Sequence, residues 1–541
     1  MLNLAVIHEA IAEAIAEREC LVHRDRRLSW AQVTDRSRRL GDLFRAHGLG
    51  CRRGRAELES WESGQDHVGL YLYNGIEFLE GMLGAFKARA APFNVNYRYV
   101  EEELLYLFEN ADARAVIFHA CFAPTLARIR ERLPRIRLWL QVDDGSGEPL
   151  LEGALDYEEA LASASPAPPR DLSPDDLYIL YTGGTTGMPK GVLWRQEDIF
   201  GAAMAPHGIE KNLAALVERA KRGGIRSLPA PPFMHGASHW VAFNMWHVGG
   251  TVIIQSNPRR LDPHDIWSTV ERERVTALAI VGDAFARPLL EALAERGYDL
   301  SSLRVLTSSG AILTAALKEE FLRAIPGLRL LDALGSSESG QQASQISRAG
   351  GKASSGDFVL GEDNVILRED FSEVVPPGSS EQGWLARRGF VPLGYYRDAE
   401  KTIRTFPVVD GVRYSVPGDL AIAEADGRLR LLGRASVTIN SGGEKIFAEE
   451  VEQALKHHPS VYDAVVVGTP HARFGQQVTA IISLRERASA SEEELRRAAE
   501  SHIARYKLPR AFVFVDQILR SPSGKADYRW ARRKAEEALG L

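Results

Sequence analysis

Up to about residue 430, short apolar runs alternate with longer stretches in which apolar positions recur three and four apart. "HVGLYLYN" (67–74) is followed by "GIEFLEGMLGAFKAR", and "DARAVIFHA" (112–120) by "PTLARIRERL". "GTVIIQ" (250–255) is followed by "HDIWSTVERERV", and "TALAIVGD" (276–283) by "PLLEALAERG". The runs read as buried strands and the periodic stretches as helices, so the alternation predicts βαβ units in mixed, mostly parallel sheets. The Pro- and Ser-rich stretches at 165–174 and 374–383 read as surface connections. Short alternating strands with turn dipeptides around the second, and on through "GDLAIAEADGRLRLLGR", predict a small antiparallel, β-barrel-like subdomain. The texture then changes. "AEEVEQALKHHP" and "SEEELRRAAESHIARY" read as helices, and "YDAVVVGT" and "VTAIISL" as strands. They predict a compact α+β domain of roughly a hundred residues with its own core. The reading is therefore an α/β chain with a large domain over 1–433 and a small one over 434–541.

Bulk properties narrow the chemistry. The 541 residues carry 66 Lys and Arg against 72 Asp and Glu, a formal charge of −6. That balance argues against a nucleic-acid binder built on phosphate contacts. Cys20, Cys51 and Cys121 lie far apart, with neither metal-type spacing nor a disulfide framework, which points to a reducing cytoplasm. The first twenty residues read as an amphipathic helix in which Glu9, Glu13 and Glu17 recur, unlike the apolar core of a signal peptide. No uncharged apolar run reaches the ~18 residues of a membrane span.

The densest candidate chemistry is "YTGGTTGMPKGV" (181–192), directly after the strand-like "DDLYIL". Glycine-rich turns after a buried strand let backbone N–H groups converge on an anion. Thr182, Thr185 and Thr186 add hydroxyl donors and Lys190 a point charge, so a polyphosphate suits the loop. The spacing is not that of a P-loop NTPase, because Pro189 precedes the lysine and Gly191 follows it.

This loop resembles the phosphate loop of the adenylate-forming superfamily, which includes acyl-CoA synthetases, adenylation domains and firefly luciferase. Further motifs fall in that family's order: "APPFMHG" (230–236), "SSGAIL" (308–313), "LGSSES" (334–339), "GYYRDAEKT" (394–402), "YSVPGDLA" (414–421), "GRASVTINSGGEKIFAEEVE" (433–452) and "RSPSGKADYR" (520–529). The wording is most similar to bacterial fatty-acyl and sterol-side-chain acyl-CoA ligases. The resemblance implies a carboxylate that attacks the α-phosphate of ATP, followed by a coenzyme A thiol that displaces AMP.

Roles follow by position. Thr182, Gly183, Gly184, Thr185, Thr186, Gly187 and Lys190 would cradle the phosphates. Ser309, Gly310, Ala311, Asp332, Leu334, Gly335, Ser336 and Ser337 would flank the adenine, with Leu334 where the family usually stacks a tyrosine. Glu338 and Thr186 would hold Mg²⁺, and Asp419 and Arg434 the ribose. Lys525 would bridge the α-phosphate and the attacking carboxylate. His235, His239, Trp240 and Phe243, with Gly310, would line the acyl pocket as gate or wall. Gly442 and Gly443 would admit the pantetheine arm, and Ser436 stands at the hinge, where the family often has Asp or Lys. The resemblance implies that the small α+β domain beyond this hinge is mobile. Catalysis is thus assigned to Lys525, Thr186, Glu338 and His235.

These residues imply an ATP-, Mg²⁺- and CoA-dependent ligase for a hydrophobic acid, with no nucleic-acid partner and with homodimerisation left open. Two alternatives stay open at this stage. One is an adenylating enzyme that does not use CoA, such as a β-lactone synthetase or an amino-acid adenylation domain. The other is a silent relative that binds nucleotide. The segment "RGRAELESWESGQDH" (53–67) has no assigned role.

Overall fold

A computed structural model of the chain describes residues 2–182, 188–351, 354, 357–434, 437–441, 444–471, 473–521 and 524–541. Two large sheets carry most of it. The eight-stranded sheet runs, edge to edge, through Gly394–Tyr395, Lys190–Arg195, Leu177–Thr182, Ala91–Asn94, His67–Tyr71, Ala113–His119, Leu138–Val142 and Leu155–Asp156. From Leu177–Thr182 onward its strands are parallel, and His67–Tyr71, Ala91–Asn94 and Leu138–Val142 are buried along their whole length. Burial on both faces is why these strands read as unbroken apolar runs rather than as alternation. Helix Ile76–Lys87, buried at every position, covers one face, and Leu40 and Phe86 join Leu70 and Ile117 in the same core.

The second sheet has thirteen strands. Its parallel centre comprises Glu19–His23, Thr251–Ile254, Arg226–Pro229, Ala277–Ile280, Val305–Ser309 and Arg329–Ser336. Beyond Arg329–Ser336 the pairing turns antiparallel through Gly340–Arg348, Asp357–Leu360, Arg428–Arg434, Asp419–Ala423, Gly383–Arg387 and Asn364–Leu367. This corrects the barrel-like expectation. The antiparallel strands extend the large sheet as an open wing, and among the described residues no ladder closes Asn364–Leu367 back onto the start of the wing. Their small core, Ala343, Phe358, Leu385, Ala421 and Leu429, is the inner face of that wing.

The C-terminal stretch forms its own five-stranded sheet from Glu444–Ile446, Ile439–Ser441, Gly475–Leu484, Val461–His471 and Ala511–Phe514. Helices Ala448–Lys456 and Glu492–Glu500 pack on it around Val451, Leu455, Val466, Ile482 and Leu495. The second helix opens with a capping box between Ser491 and Glu494, which satisfies two otherwise orphaned N–H groups.

Of segment 53–67, residues 53–66 form a closed loop whose end is buried, and His67 opens the strand His67–Tyr71. Cys51 and Gln65 pair as a β-bridge, Gly64 accepts from Arg52 N at 2.7 Å, and the loop carries one 3₁₀ turn at Arg55–Glu57. Gln65 Oε1 then accepts the N–H of Leu177 at 2.5 Å, which seats the loop against the start of the strand that leads into 183–187.

Candidate active site

The glycine- and threonine-rich loop joins two antiparallel strands, Leu177–Thr182 and Lys190–Arg195, with Thr182 opposite Lys190. The expected strand before it is present. After it comes a second strand, Lys190–Arg195, rather than a helix. Gly183, Gly184, Thr185, Thr186 and Gly187 lie outside the described residues, as do Ser436, Gly442 and Gly443. At the loop's foot, Lys190 forms an ion pair with Asp398, which caps helix Ala399–Thr405. The lysine holds the Asp398 carboxyl below its ordinary pKa against the opposing pull of burial.

Glu338 sits in the turn between Arg329–Ser336 and Gly340–Arg348. Two glycines make that hairpin possible. A Cβ on Gly335 would lie 2.2 Å from Gly340 O, and Gly340 has φ +67° with Ala202 2.8 Å from where its Cβ would be. The turn is pinned from outside as well, since Trp194 Nε1 donates to Ser337 O at 2.9 Å and Ser415 Oγ to Glu338 O at 2.6 Å. Ser336 and Ser339 share a hydroxyl–hydroxyl contact of 2.8 Å. Tyr395 Oη donates to Glu338 Oε1 at 2.8 Å, so one carboxylate oxygen is fixed.

Asp419 opens its strand after Gly418, is buried, and lies in register with Arg434, whose Nε donates to Asp419 Oδ1 at 3.1 Å. Asp419 is the main reason the Arg434 pKa rises above its ordinary value. Asp332 is buried and bound to Lys318 at 2.8 Å; Lys318 also donates to Gln345 Oε1 at 2.8 Å. Burial still raises the Asp332 pKa despite that lysine. Leu334 packs at the edge of the wing's core. Ser309 ends its strand, Ala311 is half-buried, and Gly310 between them is exposed with φ +79°.

Lys525 belongs to the C-terminal unit yet reaches the large one. Its Cε lies 3.7 Å from where a Cβ on Gly310 would be. Residue 310 is thus glycine where the lysine stem passes and where the chain needs a positive φ. Ser521 shapes the lysine's turn, with its carbonyl accepting Gly524 N at 2.8 Å and its Oγ accepting Lys525 N at 3.2 Å. Arg520 braces the base of the turn, donating to Gly524 O at 3.0 Å and to Asp463 at 2.6 and 2.7 Å. Lys525 is exposed as a residue, but protein atoms crowd around its ammonium. This enclosure, and then Arg434, pull its pKa down while Glu338 and Asp419 pull it up.

His235 is the residue before helix Gly236–Trp246. Its Nε2 is buried with no partner among the described residues, and burial, then Lys525, lower its pKa to about 3. A pKa that low leaves the imidazole neutral near pH 7, with Nε2 the ring nitrogen that lacks a partner among the described residues. Trp240 is half-buried on the same helix, its indole over Gly236. His239 and Phe243 turn the other way, into the core. His239 Nδ1 bonds Phe233 O at 2.6 Å and its Nε2 bonds Tyr178 Oη, while Phe243 packs on Phe86 and Trp246. Tyr178 Oη also accepts from Trp240 Nε1 at 3.1 Å.

The structure therefore gathers Glu338, Asp419, Arg434, Lys525, Gly310 and His235 around one cleft. Tyr395, Asp398, Trp194 and Ser415, which brace that cleft, went unassigned in the sequence. Tyr395 and Asp398 lie inside "GYYRDAEKT", where the motif itself was the available signal. Among the described residues no three His, Cys, Asp or Glu side chains group into a metal site. A single carboxylate with one oxygen already held fits Mg²⁺, which takes one or two protein ligands and completes its shell with phosphate and water.

Comparison with known proteins gives the following. The AMP-binding enzyme family matches residues 8–396, and the AMP-binding enzyme C-terminal domain matches residues 450–525. The chain is 50% identical to a medium-chain acyl-CoA ligase of Mycobacterium avium, with 98% of each chain covered. It is 41% identical to a 3-oxocholest-4-en-26-oate–CoA ligase of Rhodococcus rhodochrous, over 98% of this chain and 95% of that one. An anthranilate CoA ligase solved with anthranoyl-AMP superposes with a TM-score of 0.81 at 23% identity, over 100% of this chain and 98% of that one, a likeness of fold.

Proposed function

This chain belongs to the AMP-binding enzyme family, and from that premise we propose that it is an AMP-forming acyl-CoA ligase for hydrophobic carboxylic acids. The observation that carries the reading is the approach of Lys525, from the C-terminal unit, to Gly310 in a cleft that also holds Glu338, Asp419 and Arg434. A carboxylate is a poor nucleophile and the triphosphate it approaches is also an anion. The protein must therefore supply position and positive charge at the reacting centre.

In this reading the acid's oxygen forms a bond to the α-phosphorus while the bond to the β-phosphate bridging oxygen breaks, releasing pyrophosphate. Lys525 Nζ donates to both anions as charge passes between them. Asp419 accepts from the ribose hydroxyls beside Arg434, the 183–190 turn receives the β- and γ-phosphates, and Lys190 is oriented there by Asp398. Glu338 and Thr186 would hold Mg²⁺, which when bound would supply charge neutralisation at the phosphates. His235, neutral by burial, orients the acid's carboxylate at the head of an apolar wall that includes Trp240. The thiol of CoA then bonds to the acyl carbon, AMP leaves, and Gly442 and Gly443 give the pantetheine arm room. Residues 1–433 and 434–541 act as two units that meet at Ser436 and re-orient between the half-reactions. Relatives named for medium-chain and sterol-derived acids support an oily substrate of that class. Cytoplasmic residence fits the CoA and ATP it would consume, and among the described residues no helix is long and apolar enough to cross a membrane.

The test offers ATP, Mg²⁺ and a panel of fatty, aromatic and sterol-derived acids, with and without CoA, and follows AMP and thioester by mass spectrometry. CoA-dependent thioester is the expected product. An adenylate that accumulates unchanged by CoA, or tight ATP binding without turnover of any acid, overturns the reading.

A further inference from the structure

The triphosphate loop and the acyl-side histidine belong to different sheets, yet one buried side chain touches the backbone next to both. Asn94 closes the buried strand Ala91–Asn94. Between that strand and its neighbour Leu177–Thr182, the parallel ladder records the pair Phe93 and Ile179. Past that pair the Asn94 side chain takes over as a β-partner. Its Oδ1 accepts Tyr181 N at 2.8 Å and its Nδ2 donates to Tyr181 O at 2.8 Å. The second hydrogen of Nδ2 goes to Met234 O at 2.7 Å. Tyr181 lies two residues before the 183–187 loop, and Met234 immediately precedes His235.

A second asparagine repeats the arrangement one strand over. Asn74, just beyond strand His67–Tyr71, accepts Phe233 N at 2.5 Å and donates to Pro231 O at 2.9 Å. The 231–234 segment, which leaves the thirteen-stranded sheet, thus hangs from the strand ends of the eight-stranded one. Only Asn94 also grips the root of the phosphate loop.

We propose that Asn94 is a positioning residue that fixes the phosphate loop and His235 relative to each other, so that ATP and the acid are presented in one register. The job needs an amide. It uses two donors and one acceptor, which a carboxylate of the same shape cannot supply and an aliphatic side chain lacks altogether. The inference rests on the ligase reading for its kinetic consequence, while its structural consequence can be measured without any substrate.

The experiment compares wild type with Asn94→Asp and Asn94→Ala by three measurements: thermal unfolding, amide hydrogen exchange, and the pyrophosphate-releasing half-reaction. In folded variant protein, exchange should quicken in both the 178–182 and 233–238 peptides. At saturating ATP and acid, adenylate formation should fall about ten- to hundred-fold, the scale of a small misplacement of reacting groups. The fall should be in kcat more than in KM for ATP. Thioester formation from supplied acyl-AMP, which no longer needs the triphosphate loop, should fall by less. Asn94→Asp keeps the shape and the acceptor, so it separates loss of the two donors from loss of packing. Exchange that rises on one side only overturns the proposal. So does a rate loss that disappears once the unfolded fraction is subtracted, or an equal loss in both half-reactions. If wild-type protein releases no pyrophosphate with any acid, the ligase reading fails, and the exchange comparison still decides whether Asn94 couples the two segments.

Discussion

Lys525 and His235 show how much a single position owes to its surroundings. A C-terminal lysine is ordinarily a solvated charge, but this one passes over Gly310 and feels Arg434, Glu338 and Asp419. If it donates to the α-phosphate in the first half-reaction, Lys525→Ala should lower adenylate formation by ~10²–10³-fold, the effect of losing one preorganised donor. Thioester formation from supplied acyl-AMP should be largely spared. Equal loss in both half-reactions, measured by pyrophosphate release and by thioester yield, contradicts the assignment. Tyr395 gives a finer probe. Its hydroxyl holds one oxygen of Glu338, and burial together with that carboxylate pushes the phenol pKa upward, so it stays a donor at any working pH. Tyr395→Phe frees that oxygen without charging anything. The expected outcome is a shifted Mg²⁺ requirement with the acid KM unchanged, read from a magnesium titration of the adenylation rate. His235, with a pKa of about 3, is neutral throughout the physiological range and should add no step to the pH profile between pH 5 and 8.

Among the elements, the hairpin that carries Glu338 is the most constrained. A methyl group on Gly335 would meet Gly340 O at 2.2 Å, backbone against backbone with no side chain able to yield. Gly335→Ala should therefore cost at least ~1–3 kcal/mol, the usual range for overpacking. Because the strain falls beside Glu338, it should also weaken Mg²⁺-dependent turnover in the protein that remains folded. A variant with wild-type melting temperature and activity would show that the hairpin relaxes freely. The same element marks what could be read from the chain. Its acidic residue was visible, because "LGSSES" stands in the motif order of the family that the chain resembles. Its supports were not, since Trp194, Ser415 and Tyr395 come from 57 to 143 positions away. The same reason hid the Lys190–Asp398 pair, which lies 208 positions apart. It also explains the barrel-like expectation. Short alternating strands announce antiparallel pairing but not which outer edge they join, and here that edge was the large sheet. On helix Gly236–Trp246 apolar residues fall on every side, so periodicity could not tell that His239 and Phe243 face inward while Trp240 stays half-buried.

At the scale of the whole molecule the question is what holds the C-terminal unit against the large one, and a half-buried acid at their junction gives a measurable answer. Glu449 lies on helix Ala448–Lys456, and its Oε2 is 2.7 Å from where a Cβ on Gly433 would sit, just before Arg434. That oxygen is buried without a partner among the described residues. Burial first, then Glu452 and Asp419, outweigh Arg434 and raise the Glu449 pKa to about 8. Glu452, one turn along, is already occupied by Val466 N and Tyr528 Oη and offers no relief. Because the pKa is raised in this arrangement, proton binding favours it. The contribution is complete below the ordinary glutamate pKa near 4.5 and is lost as the pH climbs through about 8. Above that, an ionised carboxylate would be shut against Gly433, and the cheapest escape is for the C-terminal unit to swing away, taking Lys525 with it. Adenylate formation should then decline at alkaline pH in wild type and hold to higher pH in Glu449→Gln, which cannot ionise. Lys525 has its own lowered pKa and titrates in both proteins, so the difference between the two profiles, rather than either alone, isolates Glu449. Superimposable profiles from pH 6 to 9.5 would remove Glu449 from the balance between arrangements and leave the junction to contacts such as the Lys456–Asp283 pair.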